Sequence, residues 1–467
     1  MSKNFGLNLD LLKGFAKSFS DLGNRDESLE KNSRKDTLIT EVFRNEKQTY
    51  LVVFEDDLST NQLQSKIQEV LGKAGIESQA FSDFSELDAF SIELSEEEAL
   101  KLSEIDGLRI DIDESIESID PVVDFSLSQA NSESLDDQWD FNIEADFKLS
   151  DQAALSDWFN KPGNSAAAAA GGFQDTGEFN PTGLNPFDLP VYQDGTAHTG
   201  EYLPYGTKAV WGGEDVSKKG NIGEGTYAFV LDTGISSGLG SHDLNINRAW
   251  SKSFIPGQDA LRDGHGHGSH VAGTIAGLAN GVGIVGVAPG ATCIAVKVLS
   301  DSGSGTWAGV IQGIEHSVKI INENGLDKSK CVLNMSLGGS YNSSLDAVVK
   351  KAADQGIRFA IAAGNSGADA DGYSPAAAGD HPNVFTVSAC DNKYQMPTFS
   401  NWDDPSGGDD VDLAAPGVSV LSWKGNGYDK GSLVRWNGTS MAAPHVAGLM
   451  LVGDDQKVHA GPSVKAN

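Results

Sequence analysis

The chain has 467 residues, with 34 Lys and Arg against 66 Asp and Glu and a formal net charge of −32. A single hydrophobic core stops growing near ~250–300 residues, so this length predicts two or more units joined by linkers. The charge argues against phosphate backbones and anionic lipid as partners, and no apolar run approaches the ~18 residues of a membrane span.

Residues 1–47 read as a polar extension of mixed charge. Its start, MSKNFGLNLDLLKGFAKSF, lacks the uninterrupted apolar stretch of a secretory signal. Phe5, Leu7, Leu9, Leu11, Leu12 and Phe15 suggest a short amphipathic helix instead, leaving a cytoplasmic location or export by another route open. From Thr49, TYLVVFED reads as a strand, and Leu63, Ile67, Val70 and Leu71 recur at helical spacing. Phe84 to Leu94 suggests a strand pair. Ser95 with Glu98 forms a capping-box signature for a helix ended by Gly107, and LRIDIDES alternates as a last strand. This β-α-β-β-α-β order is the split-βαβ plan, a small ferredoxin-like α+β domain over residues 48–120.

Residues 121–199 carry many Asp, Gly, Asn and Ser, the alanine run 166–170 and several Pro, the composition of an acidic linker. Trp139, Phe141, Phe147, Trp158, Phe159, Phe173 and Phe187 are many aromatics for a spacer, and parts of it are expected to dock on a folded surface. From Gly200 to Asn467, continuous apolar runs such as GTYAFVLD, ATCIAVKVL, KCVLNMSL, IRFAIAAG and VFTVSAC alternate with helical patterns. That predicts an α/β domain with a mainly parallel sheet flanked by helices. Cys293, Cys331 and Cys390 sit in such runs and read as buried free thiols. A fold class alone assigns no activity.

Three motifs carry chemistry. FVLDTG puts Asp232 at the tip of a buried strand, where open α/β sheets hold their ligands. A second Asp-Thr-Gly, at Asp175, follows no strand and lies too close for the matched halves of an aspartic protease. In DGHGHGSHVAGTIAG glycines flank His265 and His267 at a helix start. The spacing of His265, His267 and His270 also admits a zinc hydrolase, although Ser269 stands where such enzymes use Asp. NGTSMAAPHVAG sets Ser440 at a second helix start, where serine usually serves as a cap. Together the three supply a nucleophile, a base that takes its proton and a carboxylate that orients the base.

With these motifs the segment from Gly200 through Met450 resembles the subtilisin-like serine proteases, whose triad runs in the order Asp, His, Ser. The resemblance implies that Asp232 orients, that His267 is general base and acid, and that Ser440 is the nucleophile. In AAGNSG it makes the Asn365 amide an oxyanion donor beside the Ser440 N–H. Ser336, Leu337 and Gly338 would take an extended peptide as an added strand. Gly303, Gly305 and Trp307 would line the opposite side, and Gly364 and Gly372 would shape a pocket for large apolar side chains. A structural Ca²⁺ would be held by Glu201, Asp243, the side chain of Asn280 and the carbonyls of Leu278, Val282 and Ile284, oxygen donors suited to that ion; no organic cofactor is implied.

Residues 48–120 then resemble the family's propeptide, an inhibitor in cis, so a zymogen is expected, cut near Ile119–Pro121 or near Thr199–Gly200. Other expected partners are peptide or protein substrates, and the state is a monomer. Two features depart from the pattern: the intervening 121–199, and a chain that ends 27 residues after Ser440, a shortened C-terminus by the family's measure. The rivals are the zinc hydrolase and a binding protein on an inactive protease fold, against which the complete triad and Asn365 speak.

Overall fold

Alternation in Gln48–Phe54 (β1) buries Tyr50, Val52 and Phe54 against helix residues, which opens the first of two compact units, 1–113 and 114–467. The computed structural model describes residues 47–76, 80–119, 191–220, 222–403 and 410–452. Residues 1–46 of the extension, residues 120–190 with their aromatics and Asp175, and the tail beyond 452 lie outside the described residues.

In the smaller unit β1 is followed by α1 (Thr60–Lys73), β2 (Phe81–Phe84), β3 (Ala89–Leu94), α2 (Glu96–Ser103) and β4 (Leu108–Ile112). The sheet order is β2-β3-β1-β4, antiparallel throughout. Leu63, Ile67, Val70 and Leu71 of α1 and Ala99 and Leu102 of α2 cover one face of it. Each fully buried Leu, Ile or Val contributes ~1.5–3 kcal/mol to holding that layer. The capping box starts α2: Ser95 Oγ accepts from Glu98 N–H at 3.3 Å and Glu98 Oε2 accepts from Ser95 N–H at 2.9 Å.

The larger unit opens with β5 (Ser115–Ser118). The strand read in LRIDIDES thus ends at Ile112, and a second strand begins at the motif's last residue, Ser115, and belongs to a different sheet. Next come the hairpin β6 (Gly195–Thr196) and β7 (Tyr202–Leu203), α3 (Tyr205–Val210) and β8 (Tyr227–Asp232). Then follow β9 (Asn245–Ile246), β10 (Lys252–Ser253), α4 (His267–Ala276), β11 (Thr292–Lys297), β12 (Ser304–Thr306) and α5 (Trp307–Glu323). The remainder is β13 (Cys331–Met335), β14 (Leu337–Ser340), α6 (Ser343–Asp354), β15 (Phe359–Ala362), β16 (Tyr373–Ser374), β17 (Val384–Cys390), β18 (Leu413–Pro416), β19 (Val420–Lys424), β20 (Ser432–Trp436) and α7 (Thr439–Leu451).

The main sheet runs β10-β11-β8-β13-β15-β17-β18, with β9 also on β11, and every pair is parallel. Its strands are buried on both faces, which explains their continuous apolar runs. Helices α4 and α7 pack together over one face, on Ala228, Val230, Val332, Ala360 and Val387. Helices α5 and α6 pack on each other over the opposite face, where Gly313 sits against Leu231 and Val296. This is the α/β class expected from the alternation of runs. The three cysteines are buried free thiols whose burial pushes them up, Cys293 and Cys331 to about 12.

Candidate active site

Central parallel strands end on the edge of the sheet where the helices begin, and Asp232 closes β8 there, fully buried. Its carboxylate faces His267, the first residue of α4: Nδ1 lies 2.8 Å from Oδ1 and 2.9 Å from Oδ2. Gly268 allows this approach, because a Cβ there would stand 2.2 Å from Gly234 O and 3.1 Å from the Asp232 side chain. Gly266, at φ 98°, supplies the left-handed turn that enters the helix.

Asp263, four residues before His267, ties the two sides together. It is fully buried and accepts from Thr233 Oγ1 (2.9 Å), Gly266 N–H (2.7 Å), Ser269 N–H (2.9 Å) and Ser269 Oγ (2.6 Å). Burial raises its carboxyl, and these donors oppose the rise. Lys297, buried at the end of β11, donates to Thr233 O and to Asp301 Oδ1; burial pushes it down to about 8. Sequence reasoning missed both residues. The signals were an Asp opening DGHGHG and a lysine inside the apolar run ATCIAVKVL.

Ser440 is the second residue of α7 and fully buried. Its Oγ donates to the carbonyl of Ile119 at 2.7 Å. Ile119 follows β5, which lies antiparallel between β12 and β14: Gly305 opposes Ile116 on one side, and Leu337 and Gly338 oppose Ser118 and Glu117 on the other. Asn365 follows β15 and the left-handed Gly364. Its Oδ1 accepts from Thr439 N–H (2.9 Å) and Thr439 Oγ1 (3.0 Å), which fixes the amide so that its NH₂ is the donor end.

A cavity of about 240 Å³ beside Ile119 is lined by Gly338, Ala362, Gly364, Asn365, Tyr373 and Ser374. The wall that Gly372 was expected to shape is formed by its neighbours Tyr373 and Ser374. Trp307 is buried, and a Cβ on Gly339 would meet it at 2.9 Å and Ile116 at 3.6 Å, so these three share one subsite. Gly303 accepts from Ser118 N–H at 2.6 Å. Ser336 stands outside the strand pairing; its Oγ takes a hydrogen bond from Asn334 and donates to Ser440 O at 3.0 Å.

The three histidines do not converge as metal ligands. His267 Nδ1 is engaged by Asp232, and His270 Nε2 lies 3.1 Å from Val420 O with its ring stacked on Trp436 at 4.8 Å. Among the described residues, Asp369, Asp371 and Asp403 bring ligating oxygens within 4.8 Å of one another, a group the sequence reading passed over.

Asp243 and Glu201 are both buried. Asp243 Oδ2 accepts from Trp423 Nε1 at 2.6 Å, while Oδ1 is buried with no hydrogen-bond donor among the described residues. Glu201 Oε2 accepts from Gly281 N–H and its Oε1 from Thr199 Oγ1. Burial first, with the Glu201 charge adding, pushes Asp243 up to about 7. Asn280 Oδ1 accepts from Val282 N–H, folding the loop 278–284 that carries Leu278, Val282 and Ile284. An orphaned carboxylate oxygen beside a second buried carboxylate fits a divalent cation.

Residues 223–452 match the model of the subtilase family. Subtilisin E of Bacillus subtilis (strain 168) is 39% identical over 262 residues, 55% of this chain and 63% of that protein. Subtilisin-like protease 2 of Pseudogymnoascus destructans is 37% identical over 286 residues, 59% of this chain and 65% of that protein. The crystal structure of a cold adapted subtilisin-like serine proteinase is 35% identical with a TM-score of 0.41, covering 52% of this chain and 80% of that one. The chain therefore spans under two thirds of the length of the curated relatives it matches.

Proposed function

We propose that this chain is a serine endopeptidase made as a zymogen, acting through an acyl-enzyme with Asp232, His267 and Ser440 as its triad. The observation that carries it is the Ser440 hydroxyl held on the carbonyl of an extended strand that lies between two strands of a cleft. A peptide held this way presents its carbonyl carbon to the hydroxyl. His267 takes the hydroxyl proton and returns it to the leaving amine; Asp232, bonded to Nδ1, leaves Nε2 as the acceptor nitrogen and stabilises the imidazolium. The Asn365 NH₂ and the Ser440 N–H serve the developing oxyanion. Ile119 beside the cavity supports a preference for apolar residues at the cleaved bond. The domain assignment goes with this proposal: 48–120 as inhibitory propeptide, 121–199 as the acidic linker and 200–467 as the catalytic domain.

The test is kinetic. Asn365→Ala should lower kcat on a blocked peptide amide by ~10²–10³ while KM changes little, since the donor acts on charge that appears only in the transition state. An unchanged kcat in a folded variant contradicts the role.

The proposal includes a calcium ion held by Asp243, Glu201, Asn280 and the carbonyls of Leu278, Val282 and Ile284. Bound there, the ion would neutralise two buried carboxylates and tie the 278–284 loop to the 195–203 hairpin. Calcium at a hundred times its Kd adds ~2.7 kcal/mol. Chelation should therefore lower the melting temperature of the Ser440→Ala protein, which cannot digest itself, and Asp243→Asn should remove that response. A melting temperature indifferent to chelator contradicts the site.

A further inference from the structure

We infer that the chain is cut on the carboxyl side of Ile119, and that everything after it stays on the enzyme, the acidic stretch before Val191 included. This rests on the endopeptidase proposal and decides between the two cut points that the sequence left open.

Two independent sets of contacts carry it. The first is at the nucleophile. Ser115 to Glu117 pair in register with β12 and Glu117 and Ser118 with β14, Ser118 N–H is bonded to Gly303 O at 2.6 Å, and the next carbonyl is the one 2.7 Å from Ser440 Oγ. Ile116 fills the subsite of Gly339 and Trp307, and a Cβ on Gly338 would stand 3.5 Å from Ile119 Cδ1. The chemistry balances without any added reagent but water. Ser440 Oγ bonds to the Ile119 carbonyl carbon as its proton passes to His267; the Ile119–Asp120 C–N bond breaks and that proton leaves on the new amine. Water then splits the ester, releasing Ile119 as a carboxylate and restoring the Ser440 hydroxyl.

The second set concerns Thr199–Gly200. A cleft that adds its substrate as a strand needs an extended segment. Thr199 and Gly200 instead form the turn of the β6–β7 hairpin, closed by Gly200 N–H to Ala197 O (3.0 Å) and Ala197 N–H to Glu201 O (2.9 Å), with Gly200 at φ 105°. Ala197 is buried in the main core. His198 N–H is bonded to Asp215 Oδ2 at 2.8 Å. Upstream, Asp194 accepts from Tyr205 N–H at 2.7 Å and pairs with Arg435, and Tyr192 packs against Gly213 and the cluster of Cys390 and Tyr394. Residues 191–203 are thus built into the catalytic unit, so cutting within them would require unfolding part of it.

Residues 120–199 hold fourteen Asp or Glu and two Lys, so the two cut points give enzymes that differ widely in charge as well as mass. The experiment follows the purified full chain over time by intact mass and N-terminal sequencing, beside the Ser440→Ala protein and a serine-directed fluorophosphonate label. The expected first product begins at Asp120, and the Ser440→Ala chain stays whole. A first new N-terminus at Gly200, or elsewhere in 191–203, overturns the inference. An uncut chain whose Ser440 takes the label also overturns it and leaves the endopeptidase proposal standing. With neither cut nor label, both fall.

Discussion

Ser440→Ala should lower peptide hydrolysis by about 10⁵-fold or more, ~7 kcal/mol of barrier, and leave the fold intact. Without the hydroxyl no acyl-enzyme forms, and what remains is the stabilisation offered by the oxyanion donors and the cleft. The fold survives because alanine suits a helix start as well as its interior, and among the described residues the hydrogen bonds removed are those of Oγ, to Ile119 O and weakly to Ser336 O. Coincident melting curves for the two proteins, with activity in one, is the expected result. A variant that keeps a tenth of the wild-type rate contradicts nucleophilic catalysis at this residue.

Acid should weaken the fold through two buried neutral histidines. Burial, with the His267 charge adding, pushes His270 down to about 3, and burial pushes His445 down to about 4. His445 has no room to hydrate: Nδ1 donates to Met441 O at 2.8 Å, and a Cβ on Gly206 would stand 2.2 Å from Nε2. In the unfolded chain each imidazole takes a proton below about pH 6.5. Above that pH both states are neutral and the stability is fully present. As pH falls from 6.5 the unfolded state alone binds protons, and stability is lost until the folded-state value is reached. By pH 4 this amounts to roughly 3 kcal/mol for each histidine. Asp263, raised by burial, and Asp410, raised to about 8 by burial and by Asp371, run the opposite way. The readout is therefore a difference: in a Ser440→Ala background, the stability lost on adding His445→Gln should shrink by about 3 kcal/mol between pH 7 and pH 4. A difference independent of pH contradicts the assignment.

The proposed triad was legible as a set of placements because each member has a distinctive local setting that a short motif spells out: a strand tip for Asp232 and helix starts for His267 and Ser440. The α/β class was legible because strands buried on both faces leave continuous apolar runs. Lys297 and Asp263 were not legible, since what gives them meaning is distant: Thr233 lies 64 residues from Lys297 and 30 from Asp263. The hairpin at 195–203 was hidden for the same reason. Its first half, 195–199, falls in the 121–199 stretch whose composition matches a linker, and its order comes from partners such as Arg435, 241 residues from Asp194. Strand 115–118 lies past the alternating stretch that was read as the last strand, which the structure ends at Ile112. Its neighbours begin at Ser304 and Leu337, and only tertiary pairing assigns it to the cleft. The −32 charge would be altered in meaning too: the proposed retention of 120–199 would leave much of the acidic excess on the processed protein.

The most direct test of the central claim is covalent. The processed, folded protein is treated with a serine-directed fluorophosphonate and mapped by mass spectrometry. A single label is expected on Ser440, absent from the Ser440→Ala protein and slowed by an apolar peptide that occupies the cleft. A processed, folded protein that takes no label, or that carries it on another residue, would contradict the account.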